Sequence, residues 1–222
     1  MIFLLTFVGC TTFLILTTIA MVFYAGGTLL DSQSVGYQFH VNFFSDLGRT
    51  EGYNGKSNSI AQILFSISAI FAGLMLIPYF IKIPAFLSQD TGKNLWLKGS
   101  SIIATIAACG YAAIGMFPAD IMYSAHIGAV MVAFLLSVPP VVIIGIAMIR
   151  SPTYPQLYGY LYLGFTGLII GYISVMFSYL EILTVQDLMV QVIGQKIIIY
   201  SEMIMMDIQA IGAYRFHKQQ ID

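Results

Sequence analysis

Six long apolar runs constrain the fold of this 222-residue chain more than any other feature. A helix of about 20 apolar residues crosses the hydrocarbon layer of a bilayer, and a helix in lipid satisfies its own backbone hydrogen bonds. Each run therefore predicts one transmembrane helix. Together they predict an all-α, polytopic membrane bundle, one domain over residues 1–222, with spans at about 2–25, 59–81, 98–117, 121–149, 157–180 and 187–214.

Composition and charge identify lipid as the solvent of this chain. Only 9% of its residues are charged, against about 25% in soluble domains. The net charge of −1 gives no overall field that would attract a nucleic acid. The expected partners are membrane lipids, and either other membrane subunits or further copies of the chain. The first run has no basic segment before it, so we expect a retained membrane helix rather than a cleaved signal peptide.

The distribution of Lys and Arg predicts how the bundle is oriented. Six of the nine basic residues flank the second and fourth connections or follow the last run: Lys82, Lys93, Lys98, Arg150, Arg215 and Lys218. Arg49 and Lys56 lie in the first connection. Because basic loops stay in the cytoplasm, both termini are expected there and the long first connection outside. Compact multipass proteins of this size are typical of prokaryotic inner membranes, which is the expected location.

Local signals predict three details of the helices. Pro139 and Pro140 remove two backbone donors within the fourth run and are expected to kink it. Asp120 is expected in the first turn of the fourth helix, where a carboxylate favours the helix dipole. The glycines of the fifth run predict a close helix–helix contact on one side of that helix, at Gly164, Gly167 and Gly171.

Polar side chains are concentrated in the predicted outer half of the bundle. The ligand-binding candidates are Ser45, Asp46, Asp120, His126, Lys196, Tyr200 and Glu202. Charges within a span are costly and usually face the bundle interior, water or a partner. On the sixth run, Lys196, Tyr200 and Asp207 share one helical face, and Glu202 lies on an adjoining face.

These groups allow two interpretations. Lys196 either pairs with an acid such as Asp46 or Asp120 and ties the helices together, or the groups line an outward-facing polar cavity. Asp46, Asp120 and His126 would also suit zinc or a similar divalent metal if the loop brings them together.

Standard catalytic motifs are absent from the sequence. It contains no P-loop, H-E-x-x-H or C-x-x-C segment. Ser45 is not in a G-x-S-x-G nucleophile motif and is predicted to cap a turn. The sequence therefore assigns no catalytic residue and leaves enzymatic activity open.

Two segments carry a resemblance that extends over nearly the whole chain. "NFFSDLG" after the first run and "GMFPAD" before the fourth resemble the family called domain of unknown function 998, and "GQKIIIYSE" in the sixth run is a looser match. The matching positions are Ser45, Asp46, Leu47, Gly48, Asn58, Gly115, Phe117, Pro118, Asp120 and His126. The resemblance implies an integral membrane protein with six spans and an activity that is not established.

Three function classes follow from these observations. The first is a protein that binds or transports a small or lipid-like ligand at an outward-facing polar site. The second is a metal-dependent membrane hydrolase, through a distant likeness to alkaline ceramidases, although the last run has no H-x-x-x-H segment. The third is an accessory subunit of a larger membrane complex.

Overall fold

Six long helices make up most of the fold. The computed structural model describes residues 1–91, 95–178 and 181–219. Each helix is long and apolar enough to cross a membrane, which confirms the predicted all-α bundle. The predicted end of the fifth span, at residues 179–180, lies outside the described residues. The helices are α1 Leu4–Phe23, α2 Ser59–Thr91, α3 Leu95–Met116, α4 Tyr123–Arg150, α5 Gln156–Ser178 and α6 Val185–Gln219.

Two helices continue beyond the apolar runs that predicted them. α2 extends to Thr91, about ten residues further than expected, and α6 extends to Gln219 rather than 214. Helical hydrogen bonding does not stop where lipid stops, so polar residues at the membrane surface prolong the helix. α4 runs through Pro139 and Pro140 as one helix.

The six helices form a ring. Each helix packs against the next one along the chain, and α6 closes the ring by packing against α1. Phe3, just before α1, contacts His217 of α6 with ring centroids 6.0 Å apart. We call this side of the ring the termini end, and the side covered by residues 24–58 the loop end.

Small residues set the spacing of several neighbouring helices. A Cβ added at Gly73 of α2 would lie 2.5 Å from the backbone nitrogen of Ala112 in α3. One added at Gly110 of α3 would lie 2.7 Å from the backbone nitrogen of Ala133 in α4. Only glycine allows these backbones to approach so closely.

The glycines of α5 do not make the contact predicted for them. A Cβ added at Gly164, Gly167 or Gly171 meets no heavy atom of the described chain within 4 Å. These residues point away from the other helices, because α5 turns a different face, which includes Tyr162 and Phe165, toward the core.

The long first connection folds over the loop end of the ring. Its segment Phe44–Gly48 is a 3-10 helix, and Phe44 and Leu47 are buried in the main core. Residues 49–58 form a turn closed by a bridge between Glu51 and Ser57, with Gly55 at a φ of +73°. The 3-10 helix is thus part of the core, whereas the segment that follows it is a surface turn.

Candidate functional site

Asp46 organises the loop that covers the ring. Its Oδ2 accepts hydrogen bonds from the Phe43 backbone N–H at 2.8 Å and the Asn42 side-chain amide at 3.1 Å, and its Oδ1 accepts one from the Tyr53 hydroxyl at 3.3 Å. Burial raises the pKa of Asp46 to about 6, although these hydrogen bonds act in the opposite direction. Asp46 therefore caps the 3-10 helix, a role predicted for Ser45, which lies half-buried beside it.

Lys196 holds the same loop from α6. Its ammonium group donates a hydrogen bond to the backbone oxygen of Asn42 and lies 5.0–5.5 Å from the ring centroids of Tyr37, Phe39 and Phe44. Aromatic faces stabilise a cation at this range. The predicted direct pairing of Lys196 with an acid is replaced by a link through Asn42, whose side chain bonds Asp46.

Asp120 joins two connections at the loop end. Its Oδ2 accepts hydrogen bonds from the Thr50 backbone N–H at 2.8 Å, the Thr50 hydroxyl at 2.6 Å and the Glu51 backbone N–H at 3.1 Å. Partial burial alone would raise the pKa of Asp120. The hydrogen bonds have the larger effect, so the pKa of Asp120 lies below its usual value of 3.8. α4 begins only at Tyr123, so Asp120 precedes the helix rather than lying in its first turn.

His126 fixes the turn between α3 and α4. Its Nδ1 donates a 2.7 Å hydrogen bond to the backbone oxygen of Phe117. Asp46, Asp120 and His126 thus each hold a different backbone segment. Among residues 1–91, 95–178 and 181–219, no group of three or more His, Cys, Asp or Glu side chains is arranged to hold a metal ion. The divalent metal stays a prediction from sequence.

The polar residues of α6 divide between two faces. Tyr200 contacts Phe44 of the covering loop, with ring centroids 5.4 Å apart, and Asp207 accepts a 3.2 Å hydrogen bond from the Thr11 hydroxyl of α1. Tyr200 and Asp207 therefore lie on the same face of α6 as Lys196. Glu202 lies on the other face and points into the ring, in agreement with the predicted helical spacing.

Glu202 is a carboxylate in the middle of the bundle, and only one of its two oxygens has a hydrogen-bond partner among the described residues. It is residue 18 of the 35 in α6, and its side chain is 5% exposed. The Tyr111 hydroxyl of α3 donates a hydrogen bond to its Oε1. Its Oε2 is buried and has no hydrogen-bond partner within the described chain. A buried polar atom without a partner costs about 1–3 kcal/mol, and more when it is charged.

A narrow interior cleft adjoins Glu202, with room for about one water molecule. Its walls come from α2, α3, α4, α5 and α6 and are mostly apolar. The oxygen-bearing side chains in the walls are Tyr111, Ser137 and Glu202. The Ser137 hydroxyl already donates to the backbone oxygen of Phe134 at 2.8 Å. The cleft is therefore an apolar space with one available carboxylate oxygen.

Sequence reasoning did not identify the partner of Glu202 or the polar groups nearer the termini end. Tyr111 is one of 14 tyrosines, and nothing in the sequence near it singles it out. The same is true of Tyr79, Tyr162 and Gln209, which are buried and joined by hydrogen bonds. The signal that these residues share, a polar group in an apolar run, is too common to select them.

Together, fold and site define a multipass membrane protein: a ring of six helices with a carboxylate inside it. Comparisons with protein-family models, with curated proteins and with solved structures found no match.

Proposed function

We propose that this protein binds and transports a small ligand with a positively charged, hydrogen-bond-donating group, such as a simple amine. Glu202 is the recognition group. The single observation that carries the proposal is the Oε2 atom of Glu202, which is buried beside an interior cleft and has no partner among the described residues.

The free energy of burying a charge explains why a ligand of this kind is favoured. An ionised carboxylate in a low-dielectric interior is costly unless a positive charge or hydrogen-bond donors compensate it. Ionisable residues within spans usually mark a ligand or ion path for this reason. An ammonium group supplies both the charge and the donors that Oε2 of Glu202 lacks.

The candidates at the loop end support this site indirectly. Asp46, Asp120 and Lys196 hold the covering loop in place, His126 holds the neighbouring turn between α3 and α4, and Tyr200 packs beneath the covering loop. We infer that these residues, with Ser45 in the same loop, control access to the ring interior from the outer side. The outward-facing site predicted from the sequence then corresponds to the entrance, and Glu202 to the binding group.

Ligand-dependent stability tests the role of Glu202. The unfolding midpoint of the detergent-purified protein is measured with increasing methylammonium chloride, at constant pH and at an ionic strength held constant with tetramethylammonium chloride, a cation that has no N–H donor. A ligand that binds only the folded state stabilises it by about 2.7 kcal/mol at 100 times its Kd. We expect a saturable rise in the wild type that is lost in Glu202→Gln.

Glu181→Gln is the matched control, because Glu181 is exposed in the connection before α6. It should keep the full rise. If methylammonium stabilises the wild type and Glu202→Gln equally, or stabilises neither beyond tetramethylammonium, the proposed function is wrong.

The other predicted classes remain proposals of lower rank. A stoichiometric metal ion in the purified protein would favour a hydrolase built on Asp46, Asp120 and His126. An accessory role agrees with the glycine face of α5, which points away from the other helices. Placement in a prokaryotic inner membrane and the resemblance to domain of unknown function 998 rest on the sequence alone and assign no activity.

A further inference from the structure

We propose that the cleft beside Glu202 selects the ammonium ion itself over larger amines and over metal cations. Ser137 and Tyr111 act as further hydrogen-bond acceptors, and Val141 limits the size of the ligand. The inference deepens the proposed function and rests on it, because Glu202 is the recognition group in both. It adds the identity of the cation and the residues that select it.

The oxygen-bearing side chains of the cleft come from three different helices. Tyr111 lies on α3, Ser137 on α4 and Glu202 on α6, and all three line the same cleft. Ser137 and Glu202 are buried, so they are shielded from bulk solvent. Because the cleft has room for only about one water molecule, a ligand inside it lies next to all three side chains.

Each of these side chains is available to a ligand only as an acceptor. The Tyr111 hydroxyl donates its one proton to Oε1 of Glu202, and the Ser137 hydroxyl donates its proton to the backbone oxygen of Phe134 at 2.8 Å. A hydroxyl that donates still has lone pairs with which to accept, and an ionised carboxylate only accepts. Oε2 of Glu202 has no partner among the described residues. The cleft therefore presents acceptors to whatever occupies it.

Ammonium matches this set of acceptors in charge, size and hydrogen bonding. It is about as large as a water molecule, and all of its hydrogens are donors. A water molecule or an alcohol in the same position would leave its own lone pairs without a donor, at a cost in free energy. A hard metal cation takes about six to eight oxygen ligands, whereas the cleft walls supply three oxygen-bearing side chains.

The apolar walls of the cleft limit how large an amine can enter. Leu76, Val141 and Phe165 line the cleft and are buried in the main core. Each carbon added to the ligand must push such walls apart, which costs free energy as overpacking of a core does. Val141 lies four residues after Ser137 and therefore on the same side of α4. Its methyl groups bound the cleft beside the Ser137 acceptor.

A series of cations tests ligand size and donor number in the wild type. The unfolding midpoint is measured with ammonium, methylammonium, propylammonium and potassium chlorides, at constant pH and with tetramethylammonium chloride holding the ionic strength constant. The concentration dependence of the midpoint gives each Kd. We expect ammonium to bind about tenfold more tightly than methylammonium. Propylammonium, which is too large, and potassium, which is similar in size to ammonium but has no hydrogen to donate, should give no rise beyond tetramethylammonium.

Two variants test the roles of Ser137 and Val141. Ser137→Ala removes one acceptor and should weaken ammonium binding by about tenfold, as expected for one hydrogen bond to a charged group. Val141→Ala opens space beside that acceptor, so propylammonium should now stabilise the protein. The controls are Ser174→Ala, whose hydroxyl makes a similar bond to a backbone oxygen on the exposed face of α5, and Val142→Ala, next to Val141 but outside the cleft lining. Both controls should match the wild type.

The wild-type series decides the inference even if a variant does not fold, which the midpoint without ligand reveals. Equal affinity of the wild type for ammonium and propylammonium, or for ammonium and potassium, refutes the selection. Wild-type ammonium affinity in Ser137→Ala removes Ser137 from the site, and exclusion of propylammonium by folded Val141→Ala refutes the assigned size limit. Methylammonium binding that depends on Glu202, without any preference for ammonium, would leave the proposed function standing while overturning this inference.

Discussion

The buried carboxylates of this chain differ in how many donors they meet. Asp46 accepts three hydrogen bonds with both of its oxygens, as a structural carboxylate should. Glu202 accepts one from Tyr111 and keeps the other oxygen free of described partners. Asp120 and Asp207 each also keep one buried oxygen without a described partner, but neither of them lines the interior cleft as Glu202 does.

Asp46 makes stability depend on pH in a predictable direction. Its pKa is raised from 3.8 to about 6, so the folded state keeps a proton that the unfolded state releases first. Stability therefore falls as pH rises through this window, by at most about 3 kcal/mol for a shift of about two units. We expect Asp46→Asn to abolish this part of the pH dependence, measured as unfolding midpoints in detergent between about pH 4 and pH 7.

Asp31→Asn provides the comparison, because Asp31 is an exposed aspartate of the same loop. It should retain the wild-type slope. Parallel pH profiles for the wild type and Asp46→Asn would show that burial of Asp46 does not penalise its charge.

At the scale of whole helices, glycine position decides which surfaces meet. Gly73 lies where α2 and α3 bring their backbones together, and the glycines of α5 lie where no described atom approaches. Helix association in lipid depends on such close packing, because lipid removes the hydrophobic drive between helices.

Gly73→Ala and Gly167→Ala should therefore differ in their effect on stability. The new methyl group at residue 73 would lie 2.5 Å from the Ala112 nitrogen and 2.7 Å from the Ala108 oxygen. Separating the two backbones should cost about 1–3 kcal/mol in unfolding free energy. Gly167→Ala should be neutral or slightly stabilising, because alanine favours helix. Equal unfolding free energies for the two variants would show that α2 and α3 are not in close contact at this point.

At the scale of the whole molecule, the ring has two chemically different ends. The loop end carries Arg49 and Lys56 in a folded cover, whereas the basic residues described at the termini end are Lys82, Lys98, Arg150, Arg215 and Lys218. Lys93, which also entered the orientation argument, lies outside the described residues. The ring therefore keeps the charge asymmetry on which the predicted orientation depends.

Cysteine labelling checks that orientation. In a chain whose Cys10 and Cys109 are replaced by serine, we expect an impermeant maleimide to label Ser57→Cys in intact cells. Thr153→Cys, in the exposed connection between α4 and α5, should react only after the membrane is permeabilised. The opposite labelling pattern would reverse the orientation and leave the fold unchanged.

Helix number and type were predictable because they depend on local properties. A run of apolar residues has one way to satisfy its backbone in lipid, so the six helices follow from composition along the chain. The two polar faces of α6 follow equally from the helical repeat. Helix ends were less predictable, as α2 and α6 show, because no lipid boundary limits hydrogen bonding along a helix that extends into water.

The roles of individual polar residues were not predictable, because each depends on which distant group it meets. Asp120 meets Thr50 across about 70 residues, Lys196 meets Asn42 across about 150, and Glu202 meets Tyr111 across about 90.

By itself, the sequence determined that this chain forms six membrane helices and that its charges must find partners. Only the tertiary structure decided that Asp46, Asp120 and Lys196 hold the cover of the ring, that His126 holds the adjoining turn, and that Glu202 keeps an oxygen without a described partner beside the interior cleft. The reason is that hydrogen-bond donors are distributed in space rather than along the chain.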